Sequence, residues 1–139
     1  MKELYESLIV NQSHKECFVV IKPGFLDLSQ KVVDIFKKHN WSIKNTTIKQ
    51  LQLDEAKRLY EVHKNESFYK DLCQYMSSGP SRAFIFTKPG KYTKRTFSSV
   101  AVIKDMIRDK YGIDDMKNVL HSSDSKENMM KEAKVYFRI

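Results

Sequence analysis

Glycine is scarce in this chain, with four among 139 residues, and neither G-x-x-x-x-G-K-[ST] nor G-x-G-x-x-G occurs. A phosphate bound here is therefore not cradled by a glycine-rich loop of backbone N–H groups; separate cationic side chains have to hold it. Cysteine is scarcer still. Cys17 and Cys73 offer neither a disulfide framework nor metal-ligand spacing, so a reducing compartment is expected. No apolar run approaches the ~20 residues that cross a bilayer. The opening Met1–Val10 mixes acid with base, and its apolar block is too short and broken for a signal peptide. A cytoplasmic protein without a membrane partner is the expectation. No repeat, low-complexity segment or linker divides the chain. Residues 14–139 read as a single domain and residues 1–13 as an N-terminal extension of undetermined order.

Positive charge is plentiful. Lys and Arg exceed Asp and Glu by 25 to 17, a net +8, which favours anionic partners: nucleotides, nucleic acid or an acidic membrane surface. The balance does not choose among them, because many of the lysines fall on helix faces where they serve solubility.

The short apolar run Glu16–Ile21 reads as a central strand, stopped by Lys22-Pro23-Gly24. Val32, Val33, Ile35 and Phe36 have helical spacing within 28–39, and 41–48 alternates as a strand. A helix opens at Leu53 with Asp54 and Glu55 in its first turn, and a second runs from Ser67 through Met76. Ser81–Thr87 is another strand, Lys91–Phe97 is basic and irregular, and Val100–Tyr111 is helical up to Gly112. Asn118–His121 is a short apolar run ending in a histidine. A helix over 126–133 and a final strand over 134–137 complete the chain. This order suits an α+β ferredoxin-like sandwich, an antiparallel sheet covered by helices on one face.

The chemistry gathers around Asn118-Val-Leu-His-Ser-Ser-Asp-Ser125. A histidine at a strand exit is held rigidly, and Asp124 and Ser125 are able to cap the next helix. Glu132, eleven residues on, is placed to fold back onto the imidazole, the general pattern of an activated nucleophile or base. From this stretch alone, an ordinary histidine in a polar loop is the better-supported reading. Lys22 reads either as a solvated turn lysine or as a ligand-binding one. Arg95 and Arg108 are further candidates for an anion site. Phe68 and Tyr60 suit stacking on a planar base, or simply the core.

Together these segments resemble the nucleoside diphosphate kinase family. Asn118–Ser125 resembles its signature N-x-x-H-G-S-D-S, and Val20–Gly24 its first strand with a phosphate-contacting lysine. Tyr60-Glu-Val-His63 with Phe68-Tyr-x-x-Leu72 resembles Y-x-x-H…F-[FY]-x-x-L. Tyr75–Pro80 resembles Y-M-x-S-G-P, and Met106–Tyr111 stands where the family has T-I-R-x-x-[FY]. The match runs over nearly all of residues 14–139. It implies ping-pong transfer of the γ-phosphoryl of a nucleoside triphosphate, typically ATP, to a nucleoside diphosphate through phospho-His121.

By the family pattern, Lys22 and Asn118 would bind sugar hydroxyls and phosphates, and Tyr60 would bound the pocket. Phe68 and Leu72 would pack the base, Arg108, Arg95 and Thr96 would grip phosphates, and Ser123 and Glu132 would hold the imidazole. Mg2+ would come with the nucleotide phosphates, without a protein cage. A homo-oligomer, as a hexamer, is also implied. Three positions depart from the pattern. Ser122 stands in place of glycine, which would crowd the histidine loop if that position needs an unusual backbone angle. Residues 88–105 form a shortened segment without the family's G-x-T-x-P…P-G. Asp115, beside Met116, replaces an apolar cover for the base. The competing expectation is a weakly active or inactive kinase-like fold that serves as a basic nucleotide- or nucleic-acid-binding module.

Overall fold

The computed structural model describes residues 14–138; the expected extension over 1–13 lies outside them. Within these residues four strands and five helices follow one another: β1 (His14–Ile21), α1 (Ser29–Lys38), β2 (Ser42–Lys49), α2 (Leu53–Leu59), α3 (Tyr69–Met76), β3 (Ser81–Pro89), α4 (Thr96–Tyr111), β4 (Leu120–Ser122) and α5 (Lys126–Tyr136). Single 3-10 turns occupy Leu26–Leu28 and Glu61–His63. The sheet order is β2-β3-β1-β4 with every pair antiparallel. This is the α+β ferredoxin-like arrangement.

The helices lie on both faces of the sheet, not on one as expected. Alternate side chains of β1 point to opposite sides. Phe18 and Val20 meet Leu59, Cys73, Met76 and Met129 from α2, α3 and α5. Cys17, Val19 and Ile21 meet Val32, Phe36, Val100 and Ile107 from α1 and α4. Burial on both sides explains why the central strand is continuously apolar.

Two boundaries also differ. The stretch Lys134–Phe137 is not a strand: α5 continues to Tyr136, and only Phe137 turns extended. Val135, Tyr136 and Phe137 are β-prone by type, but here they pack on the sheet from a helix end. The Tyr136 and Phe137 rings lie 5.9 and 6.5 Å from that of Phe18, and Tyr136 Oη shares a 2.6 Å hydrogen bond with Ser81 Oγ. Tertiary packing has overridden local propensity. Helix α4 starts at Thr96, four residues before the first apolar position read as helical.

Candidate active site

β4 is only three residues long, yet it fixes the central histidine. Its edge pairs with β1, setting His121 opposite Val20 and Leu120 opposite Ile21. Lys22 N donates to Val119 O (2.8 Å), extending that ladder by one bond. Leu120 N donates back to Asn118 O (3.1 Å) around Val119, whose φ is +82°. This is a γ-turn with a β-branched residue at its centre, a conformation that costs roughly 1–3 kcal/mol and survives only when its surroundings enforce it. The turn delivers Asn118 and His121 to one cleft. Ser122, by contrast, lies in β4 paired with Val19 and has no positive φ, so a serine fits there without backbone strain.

The cleft holds about 570 Å³. Eight of the residues expected from the sequence line it: Lys22, Tyr60, Phe68, Leu72, Arg108, Asn118, His121 and Glu132. His121 Nε2 is hydrogen-bonded to Glu132 Oε1 from the middle of α5. Ser123 Oγ donates to the same carboxylate oxygen (3.1 Å), so this serine steadies the glutamate and not the imidazole directly. Ser125 Oγ accepts from Asn128 N (3.1 Å), which caps α5 and sets the helix that carries Glu132. Among the described residues His121 Nδ1 has no hydrogen-bond partner, and it is absent from the buried polar atoms that lack one; it is the nitrogen open to the cleft.

The cations are held from several sides. Lys22 is 3% exposed, and its Nζ donates to Asn118 Oδ1 (2.8 Å) and Met116 O (3.1 Å). Burial, with Arg108 and Lys104 nearby, pushes its pKa down to about 7. Arg108 Nε and Nη2 both donate to Leu120 O (3.2 and 2.9 Å), clamping α4 onto β4 beside the histidine. At the end of that helix, a Cβ on Gly112 would meet Arg108 O at 2.5 Å and Asn118 Cα at 3.3 Å. Glycine is needed there for close approach, and φ is an ordinary −71°.

The wall opposite is aromatic. The Tyr60 ring stands edge-on to the imidazole at 5.1 Å, and His63 lies between Tyr60 and Phe68, 6.4 and 5.6 Å from their rings. Among the described residues the buried Tyr60 hydroxyl has no partner, and burial raises its pKa well above the usual value, so it stays protonated. Phe68 is 44% exposed and lines the cleft, which rules out the core role open to it in the sequence; Leu72 is buried beneath it. Asp115 and Met116 line the other side.

Three expected residues do not line this cleft: Ser123, which stands behind Glu132, and Arg95 and Thr96. Arg95 is exposed before α4, and Thr96 Oγ1 is turned back to accept from Thr93 N (2.9 Å). Sequence reasoning missed Lys104, His63 and Asp124, all of which line the cleft. Lys104 had a visible signal, since it stands one helical turn before Arg108.

No trio of His, Cys, Asp or Glu suited to a metal exists among the described residues. The donor set that is present, three cations with Asp115 and Asp124, fits a magnesium ion carried on phosphate oxygens. Also among the described residues, no helix is long and apolar enough to cross a membrane.

Comparison with known proteins agrees with this geometry. The family model described as nucleoside diphosphate kinase matches residues 15–139. A nucleoside diphosphate kinase of Hyperthermus butylicus is 33% identical over 135 residues, covering 86% of this chain and 89% of its own length. One of Ignicoccus hospitalis is 31% identical, with 87% of each chain covered. Among solved structures, the Aquifex aeolicus nucleoside diphosphate kinase superposes with a TM-score of 0.73 at 25% identity, covering 90% of this chain and 96% of that one. The chain belongs to the nucleoside diphosphate kinase family.

Proposed function

We propose that this phosphotransferase works by ping-pong transfer through His121. The observation that carries the reading is the division of labour between the two ring nitrogens: Nε2 is tied to Glu132 while Nδ1 stands open among Lys22, Arg108 and Asn118. With Glu132 accepting from Nε2–H, the neutral tautomer has its lone pair on Nδ1. That pair attacks the γ-phosphorus of ATP, the bond from phosphorus to the β–γ bridging oxygen breaks, and the nucleoside diphosphate leaves with those electrons. Nε2–H stays in place, and Glu132 balances the positive charge on the phosphorylated ring. A second nucleoside diphosphate then attacks the phosphohistidine by the reverse path.

Phosphoryl transfer depends mainly on positioning and charge neutralisation. Arg108 supplies fixed positive charge, Lys22 a charge that bound phosphates favour, and Asn118 orients Lys22 and takes sugar hydroxyls. A magnesium ion held on the nucleotide phosphates would neutralise part of their charge. Tyr60 bounds the site and excludes water beside the imidazole. Phe68 and Leu72 pack one face of the base, with Asp115 and Met116 opposite. A base held by contact area and not by edge hydrogen bonds admits many nucleobases. The proposal extends to a homo-oligomer, a hexamer by the family pattern, working in the cytoplasm. The alternative of an inactive basic binding module is not favoured, since the named relatives are kinases and the His121–Glu132 pair is intact.

Phosphate transfer from ATP to a panel of ribose and deoxyribose diphosphates tests this function. Turnover of purine and pyrimidine acceptors alike is expected; nucleotide binding without turnover would contradict it.

A further inference from the structure

The two cations nearest His121 already have protein partners. Lys22 Nζ is held by Asn118 and Met116, and the Arg108 guanidinium by Leu120 O. Lys104 differs. It is half-buried on α4, and among the described residues its ammonium makes no hydrogen bond or ion pair. It lines the main cleft and also an adjoining cavity of about 400 Å³; the two share Ser122 and Asp124. A half-buried ammonium without a partner is unfavourable, and burial together with Arg108 lowers the Lys104 pKa. The carboxylates of Asp105, Asp124 and Glu132 act on it only through space. An arriving anion would supply the missing partner. Spacing of i, i+4 puts Lys104 and Arg108 side by side on one helix face, about 6 Å apart at Cβ, a separation two oxygens of one phosphate chain can span. Lys94 and Lys126 line the adjoining cavity but not the main cleft, and the exposed Arg95 lines neither.

We infer that Lys104 is a phosphate-gripping residue of this chain, which holds the terminal phosphates of the nucleotide together with Arg108 where Arg95 does not reach. The inference rests on the kinase reading of the cleft. It makes the shortened segment over 88–105 functional in a specific way: the second terminal-phosphate cation comes from the helical part of that segment instead of from the loop ahead of it.

The test is MgADP affinity by calorimetry, with kcat/KM for GDP in parallel, for the unaltered protein, Lys104→Met, Lys104→Arg and Lys110→Met. Lys110 is exposed on the same helix beside Tyr111 and controls for net charge. Lys104→Met should weaken MgADP about tenfold, the loss of one charge-assisted contact. Lys104→Arg should stay within roughly threefold and Lys110→Met should match the unaltered protein. The thermal transition of Lys104→Met should hold or rise, since an unpaired half-buried charge is removed. Equal affinity in Lys104→Met, or a Lys104→Arg as weak as Lys104→Met, overturns the assignment. If the unaltered protein binds MgADP but turns over no diphosphate, the kinase reading fails while the phosphate contact stands. No binding at all overturns both.

Discussion

Glu132 and His121, eleven residues apart on different elements, are joined through Nε2, and Ser123 holds the same carboxylate oxygen from behind. The pair fixes ring orientation and leaves Nδ1 open to the cleft, as the nitrogen that reacts under the proposed mechanism. Glu132→Gln keeps an oxygen acceptor but removes the charge that balances the phosphorylated ring. Its kcat should fall roughly 100-fold, with KM for the diphosphate changed far less. Ser123→Ala should cost only about tenfold or less. Steady-state kinetics on both variants check the order.

Lys22 makes the protein sensitive to pH in a definite direction. Its folded pKa, about 7, lies below the ordinary 10.5. Between these values the folded state holds fewer protons than the unfolded one, so this lysine's contribution to stability rises with pH across that window. Its penalty is full below about pH 7. Lys22→Met should flatten that part of the stability curve. Nucleotide phosphates favour the ammonium, so binding at pH 8 should take up close to ~1 proton per site. Calorimetry in two buffers of different ionisation enthalpy measures the uptake, which Lys22→Met should abolish.

The orphaned Tyr60 hydroxyl gives a stability and activity trade. Tyr60→Phe removes a buried group without a partner, and should raise stability by about 1 kcal/mol. If the hydroxyl meets the bound nucleotide, kcat/KM should drop by roughly tenfold in the same variant. Denaturant melts and kinetics separate the two effects.

Gly112→Ala forces a methyl group against Arg108 O and Asn118 Cα. Relief requires moving the end of α4 or the turn at Asn118, both of which carry cleft residues. A loss of about 1–3 kcal/mol is expected, together with weaker nucleotide binding, read from thermal melts and calorimetry.

Much of this architecture was legible in the residues. The apolar block ending at Ile21, the capping serine before α5 and the spacing from His121 to Glu132 each have a direct physical counterpart in the fold. Other features had no local signal. Val119 is a residue type that resists positive φ, so its γ-turn is imposed by Lys22 N and by the ladder on either side of it. Val135-Tyr136-Phe137 looked like a strand because the same side chains suit a sheet and a packed helix end. Arg95 and Thr96 have the residue types of phosphate ligands, but α4 begins early enough to turn Thr96 inward and leave Arg95 exposed. Lys104 does carry a signal, its spacing of one turn before Arg108, but that spacing points to the cleft only once the helix is placed against β4.

The central claim is a phosphoryl group carried on His121. Incubation with γ-labelled ATP should yield about one label per chain at saturation, acid-labile and alkali-stable, discharged on adding GDP and absent from His121→Gln. Equal labelling of His121→Gln, or a label that survives acid, would contradict it.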